Sequence, residues 1–132
     1  MTPEADIGRV IAGVCPQSGH WPYTRAAGLY IGYRPAEESF QIAGDRIARA
    51  MVRYDIVICA ARGEAAARME EMRYRLYAAL LAAGWRFDGA PGPESYSETH
   101  DLFLWPVTVI KGFMIDKNGQ PAAPGNKSGG DA

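Results

Sequence analysis

The chain has 132 residues, the length of one ordinary domain, and 48% of them are hydrophobic and 22% charged. A chain of this composition can bury a core, which excludes wholesale disorder. Its 14 basic and 15 acidic residues give a formal net charge of −1, a balance that argues against a dedicated nucleic-acid binder. Glycine, with 15 residues, and proline, with 9, predict long loops around a small packed part.

The sequence contains no signal for secretion or membrane insertion. The N-terminal residues lack the basic segment and apolar run of a signal peptide, and no stretch approaches the roughly 18 uninterrupted apolar residues of a membrane helix. Cys15 and Cys59 lie far apart in dissimilar settings. We expect free, buried thiols in a reducing compartment, with a single disulfide as the alternative.

The first third of the chain predicts a helix, a loop and a strand. Thr2 can cap a helix over residues 2–14 and Pro3 suits its first turn. Residues 15–27 are predicted as a loop, residues 28–33 as a short strand, and residues 34–39, opened by Pro35, as a polar loop.

The strongest strand pattern covers residues 46–60. Every even position from Ala48 onward is apolar, whereas the odd positions include Arg49, Arg53 and Asp55. Alternation of this kind is typical of a long strand with one face on a core. Such a strand either projects beyond a small domain or bends within it, and its charged face is either solvated or meets another subunit.

The second half of the chain predicts one long helix and one strand. Residues 64–83 carry an apolar stripe at helical spacing, and Gly84 stands where a helix ends. Residues 101–115 are rich in aromatic and β-branched side chains, but Pro106 requires an edge or a bulge. We therefore predict an α+β domain over residues 1–116, an antiparallel or mixed sheet with two helices packed on one face, followed by a flexible tail over residues 117–132.

The residues that could carry chemistry do not form a recognisable active site. His20 and His100 lack partners at a metal-ligand spacing, and neither a nucleophile elbow nor a phosphate-binding glycine loop is present. We expect no catalytic, cofactor-binding or metal-binding residues. The aromatic residues of the predicted loops are candidate interface anchors, although each can equally fold onto its own core: Trp21, Tyr23, Trp85, Phe87 and Tyr96.

Several phrases of the sequence resemble a known family. They are the strand at residues 53–60, the amphipathic helix at 67–84 with its closing residues 82–86, the segment 93–96 and the segment 99–102 that leads into the last strand. In this order, and over most of residues 1–115, the chain resembles the tail terminator, or tail-completion, proteins of long-tailed bacteriophages and prophages. The resemblance is one of element order and contains no catalytic signature.

The resemblance implies an α/β sandwich whose subunits form a hexameric ring. Such a ring caps the tail tube, ends its polymerisation and joins the tail to the head connector. The implied partners are further copies of the chain, the tail tube protein and the head–tail connector protein, with no membrane and no sequence-specific nucleic acid. The implied location is the tail or neck of the virion, assembled in the bacterial host cytoplasm. The family implies no enzymatic activity and no cofactor.

The residues themselves suggest where such a subunit makes contacts. We expect Arg49, Arg53 and Asp55 on an exposed strand face, and Arg34, Glu37 and Glu38 in a loop that meets a neighbour or the tube. Two alternatives stay open. One is another neck, connector or minor tail structural protein of a phage. The other is a small ligand-binding α+β domain, which requires a pocket that contains His20 or His100.

Overall fold

Two helices and six strands make up the part of the chain that the computed structural model describes, residues 1–21 and 28–121. The sheet has the order β1-β2-β3-β6-β4, and β5 also pairs with β6. The pair β1–β2 is parallel and all other pairs are antiparallel, so the prediction of a mixed sheet is confirmed. In chain order the elements are α1 (Pro3–Val14), β1 (Ser18–His20), β2 (Leu29–Ala43), β3 (Arg46–Ala61), α2 (Glu64–Ala82), β4 (Arg86–Phe87), β5 (Ser95–Ser97) and β6 (Leu102–Met114).

Both helices pack on one face of this sheet, as predicted. The hydroxyl of Thr2 accepts a hydrogen bond from the amide of Ala5 and so caps α1. Ile7 and Ile11 of α1 are fully buried against the even-numbered residues of β3 and the apolar stripe of α2. We call the opposite face of the sheet, which no helix of the described residues covers, the open face.

The polar loop predicted at residues 34–39 is wrong, because β2 continues without interruption to Ala43. It pairs with β3 along its whole length, and a register shift between Pro35 and Glu37 accommodates the proline, which has no amide hydrogen. From Arg34 onward both faces of β2 are exposed. A strand without a buried face needs no alternation of apolar and polar residues, so no periodic signal marks this part of β2.

Three short strands lie in segments predicted as loops. Here β1, β4 and β5 have two or three residues each and exist because a longer strand supplies their partners. Pro106 occupies the stretch of β6 that neither β4 nor β5 pairs with, so its predicted edge position is confirmed. Tyr23 and residues 122–132 of the predicted tail lie outside the described residues, whereas Pro121 forms a bridge with Ile115.

Candidate interaction surface

A charged network ties three strands together on the open face. Arg53 of β3 forms ion pairs with Glu37 of β2 and with Asp88, which follows β4. The Arg53 side chain is held on both sides and is only 30% exposed. Next to it, the hydroxyl of Thr108 donates a hydrogen bond of 3.0 Å to the carboxylate of Asp55. The polar side chains of this face are therefore fixed by one another across the strands.

A recess of about 370 Å³ lies beside this network. It is lined by Trp21, Arg34, Asp55, Val57, Pro106 and Thr108, among others. Trp21 lies against Gly32, where a Cβ atom would stand 2.3 Å from the indole ring. Glycine is therefore required at this position so that the aromatic ring can cover the sheet.

The six predicted contact residues fall on both faces of the sheet. Arg49, Arg53 and Asp55 share the open face, as their alternation predicts. Arg34, Glu37 and Glu38 were expected in a loop, and this is wrong because they lie in β2. The first two join the open face opposite Asp55 and Arg53, whereas Glu38 pairs with Val52 and points to the helix side.

Residues 34–43 of β2 form an exposed edge of the sheet, which we call the edge segment. One side pairs with β3, whereas on the other side the pairing seen among the described residues is that of β1 with residues 31–33. Phe40 and Ile42 are 52% and 59% exposed. A bulge places Ile42 opposite Ile47, so the side chain of Ile47 joins theirs on the helix side. Near the start of the edge segment, proline and glutamates disfavour pairing with another strand, but residues 39–43 carry no charge.

The apolar side chains of the edge segment border a groove of about 320 Å³. Phe40 and Ile47 line one wall, Phe113 and Ile115 of the β6 end line another, and Pro3 of α1 closes the groove. The first turn of α1 is therefore the point at which the helices stop covering β2. The apolar side chains farther along the strand remain exposed.

A second exposed apolar stripe lies at the opposite side of the fold. Tyr74 and Leu81 of α2 are 61% and 52% exposed. Tyr77 of the same helical stripe packs edge-on against Phe87 of β4 at 5.0 Å, so the stripe faces the β4 side. Arg73 stacks over the Trp105 ring at 3.6 Å, and it forms no ion pair among the described residues.

A buried ion pair holds α1 on the sheet beneath these surfaces. The Lys111 ammonium group donates hydrogen bonds of 2.7 Å to the Asp6 carboxylate and to the Ala83 carbonyl. The indole nitrogen of Trp85 donates a second hydrogen bond to Asp6, at 3.4 Å. Asp6 is completely buried and the Lys111 side chain is 10% exposed. Nothing in the sequence signals a pair whose members are 105 residues apart.

The histidines and cysteines occupy separate places. His20 pairs with Glu4 at 2.6 Å, and His100 lies within hydrogen-bond reach of Ser97. Both cysteines are free and buried, and burial raises the pKa of the Cys59 thiol to about 11. Within residues 1–21 and 28–121, no three side chains of histidine, cysteine, aspartate or glutamate lie close enough together to hold a metal ion.

Of the aromatic candidates, only some remain at the surface. Trp85 is fully buried between Tyr54 and Phe113, so it belongs to the core and not to an interface. Phe87 packs against α2, and Tyr96 stays partly exposed beside Arg62. Sequence patterns did not reveal Phe40, Tyr74 and Leu81 as surface residues. Tyr74 and Leu81 lie off the main apolar stripe of the predicted helix, and Phe40 directly follows the segment predicted as a polar loop.

No protein family and no curated protein matches this chain. Neither α1 nor α2, the helices of the described ranges, combines the length and apolar character needed to cross a membrane.

Proposed function

We propose that this chain is a structural subunit of the tail of a long-tailed phage. Copies of it form a closed, hexameric ring that caps the tail tube, ends its polymerisation and joins it to the head connector. Its partners are its own copies, the tube protein and the connector protein, and its place is the neck of the virion, after assembly in the host cytoplasm. The proposal assigns the chain no enzymatic activity and no cofactor.

The edge segment is the observation that carries this proposal. Ten consecutive residues of β2 are exposed, and beyond Tyr33 no strand among residues 1–21 and 28–121 pairs with the side of β2 that faces away from β3. Phe40 and Ile42 add apolar surface at its uncharged end. An exposed strand edge of this length invites pairing with another chain, and proteins that remain monomeric usually block such edges. A protein that works as one member of an assembly requires such a surface.

The same surface would serve another neck, connector or minor tail protein, which is the second reading of the same geometry. A small ligand-binding domain is less well supported, because the open-face recess contains neither His20 nor His100. Partner identity, and not the fold, therefore separates the two structural readings.

Light scattering of the purified chain across a concentration series tests the proposal. We expect a hexamer, or a monomer that becomes a ring when purified tail tube protein is added. A strict monomer that ignores the tube protein would refute it. Replacing Phe40 and Ile42 together by serine should lower the assembled mass without unfolding the subunit, because both side chains are already in water.

A further inference from the structure

We propose that the edge segment of one copy docks against the α2–β4 side of the next copy. This inference rests on the proposed function and specifies the contact from which the ring is built. The two surfaces lie at opposite sides of one sheet, whose strand order starts at β1-β2 and ends at β6-β4. A contact between two different surfaces is head-to-tail, and such contacts close into rings when the rotation between copies permits.

Both surfaces carry exposed apolar side chains, and in both they lie on the helix side of the sheet. Phe40 and Ile42 point to the helix side of the sheet, beside the edge of residues 39–43 that faces away from β3 and pairs with no strand of the described residues. Tyr74 and Leu81 also lie on the helix side, above the far edge of the sheet that ends in β4. If the edge segment of one copy approaches the β4 edge of the next copy, the two apolar pairs come into contact. The two sheets then form one continuous sheet across the contact.

Charge is complementary across the same contact. Glu38 of the edge segment forms no ion pair within the described ranges, and it points to the helix side. On the receiving side, Arg73 of α2, which lies on the helix side, has no ion-pair partner within the described ranges either, and its Nε atom is buried without a hydrogen bond. Pairing two edge segments with each other would instead bring Glu37 and Glu38 of both copies close together. Like charges opposed across strands disfavour that symmetric arrangement.

Cysteine cross-linking of the full chain tests this contact. Phe40→Cys and Leu81→Cys in one chain, treated with a short bis-maleimide, should give a ladder of covalent species that ends at the ring. Either variant alone should give no ladder, and a mixture of the two single variants should stop at a covalent dimer. The matched control combines Phe40→Cys with Met114→Cys, because Met114 is equally exposed but lies on the open face. The native thiols are buried and stay unlabelled in the folded chain.

The outcomes separate this contact from the proposed function. A closed ring by light scattering without the ladder overturns the contact and leaves the ring standing. A ladder that grows without closing supports the contact and overturns the ring. Cross-linking of Phe40→Cys alone shows a symmetric contact between edge segments and overturns the inference, as does a chain that stays monomeric and unlinked. Equal cross-linking of the Met114 control would show random collision and also overturn it.

Discussion

Replacing Lys111 by methionine tests the ion pair that anchors α1. Methionine retains an unbranched side chain one atom shorter than that of lysine, and it removes the ammonium group from a site where the lysine side chain is 10% exposed. Asp6, which is completely buried, then retains a single donor, the Trp85 indole at 3.4 Å. Breaking a buried pair by removing one partner leaves an uncompensated charge and costs about 3–5 kcal/mol of unfolding free energy. The Ala83 carbonyl also loses its donor.

A double variant, in which both members of the ion pair are replaced, tests the same reasoning from the other side. Asp6→Asn together with Lys111→Met leaves no buried charge, so the double variant should be more stable than Lys111→Met alone. Urea unfolding followed by far-ultraviolet circular dichroism measures all four chains of the cycle. For a domain of this size, we expect the melting temperature of Lys111→Met to fall by about 10–20 °C. A loss below about 1 kcal/mol, or a double variant less stable than Lys111→Met, would refute the reasoning.

Two further predictions concern Gly32 and Cys59. Gly32→Ala should cost about 1–3 kcal/mol and increase the solvent exposure of Trp21 in fluorescence, because a Cβ atom would stand 2.3 Å from the indole. Gly13→Ala, at an exposed helical position with free space around it, should instead stabilise by about 0.5–1 kcal/mol; equal effects at both sites would contradict the argument. Burial raises the pKa of Cys59 to about 11, so the unfolded chain loses this proton first and the unfolding free energy should fall as the pH rises from about 9 to about 11. Urea midpoints should show a smaller fall for Cys59→Ala, and an identical fall would exclude Cys59 as its source.

The sequence was most informative where one face of an element is buried. The alternation in β3 predicted both the strand and the shared face of Arg49, Arg53 and Asp55. The Thr2 cap and Pro3 in the first turn predicted α1 within one residue. In both elements a local pattern and the tertiary packing demand the same conformation, which is why a single sequence suffices.

The sequence was uninformative where distant contacts decide. Residues 34–43 form a strand because their backbone pairs with that of β3, whereas their own side chains remain exposed to solvent. The partners of Arg53, which are Glu37 and Asp88, come from two other segments, and the Asp6–Lys111 pair joins the two ends of the domain. The bulge that turns Ile47 to the helix side depends on register, which no periodicity reveals.

The weak attachment of the edge segment has a consequence for the dynamics of the free subunit. Within the part of the chain that the structure describes, residues 34–43 bond to one neighbouring strand, β3, and bury little apolar surface. We therefore expect this segment to open at a free-energy cost well below that of global unfolding. Its amide protons should exchange with solvent much faster than those of Ile56 and Ile58, which lie in the buried centre of the sheet. The subunit thus combines a rigid core with a loosely held strand. Ordering that strand on binding costs conformational entropy, which reduces the net binding free energy of every contact that the strand makes.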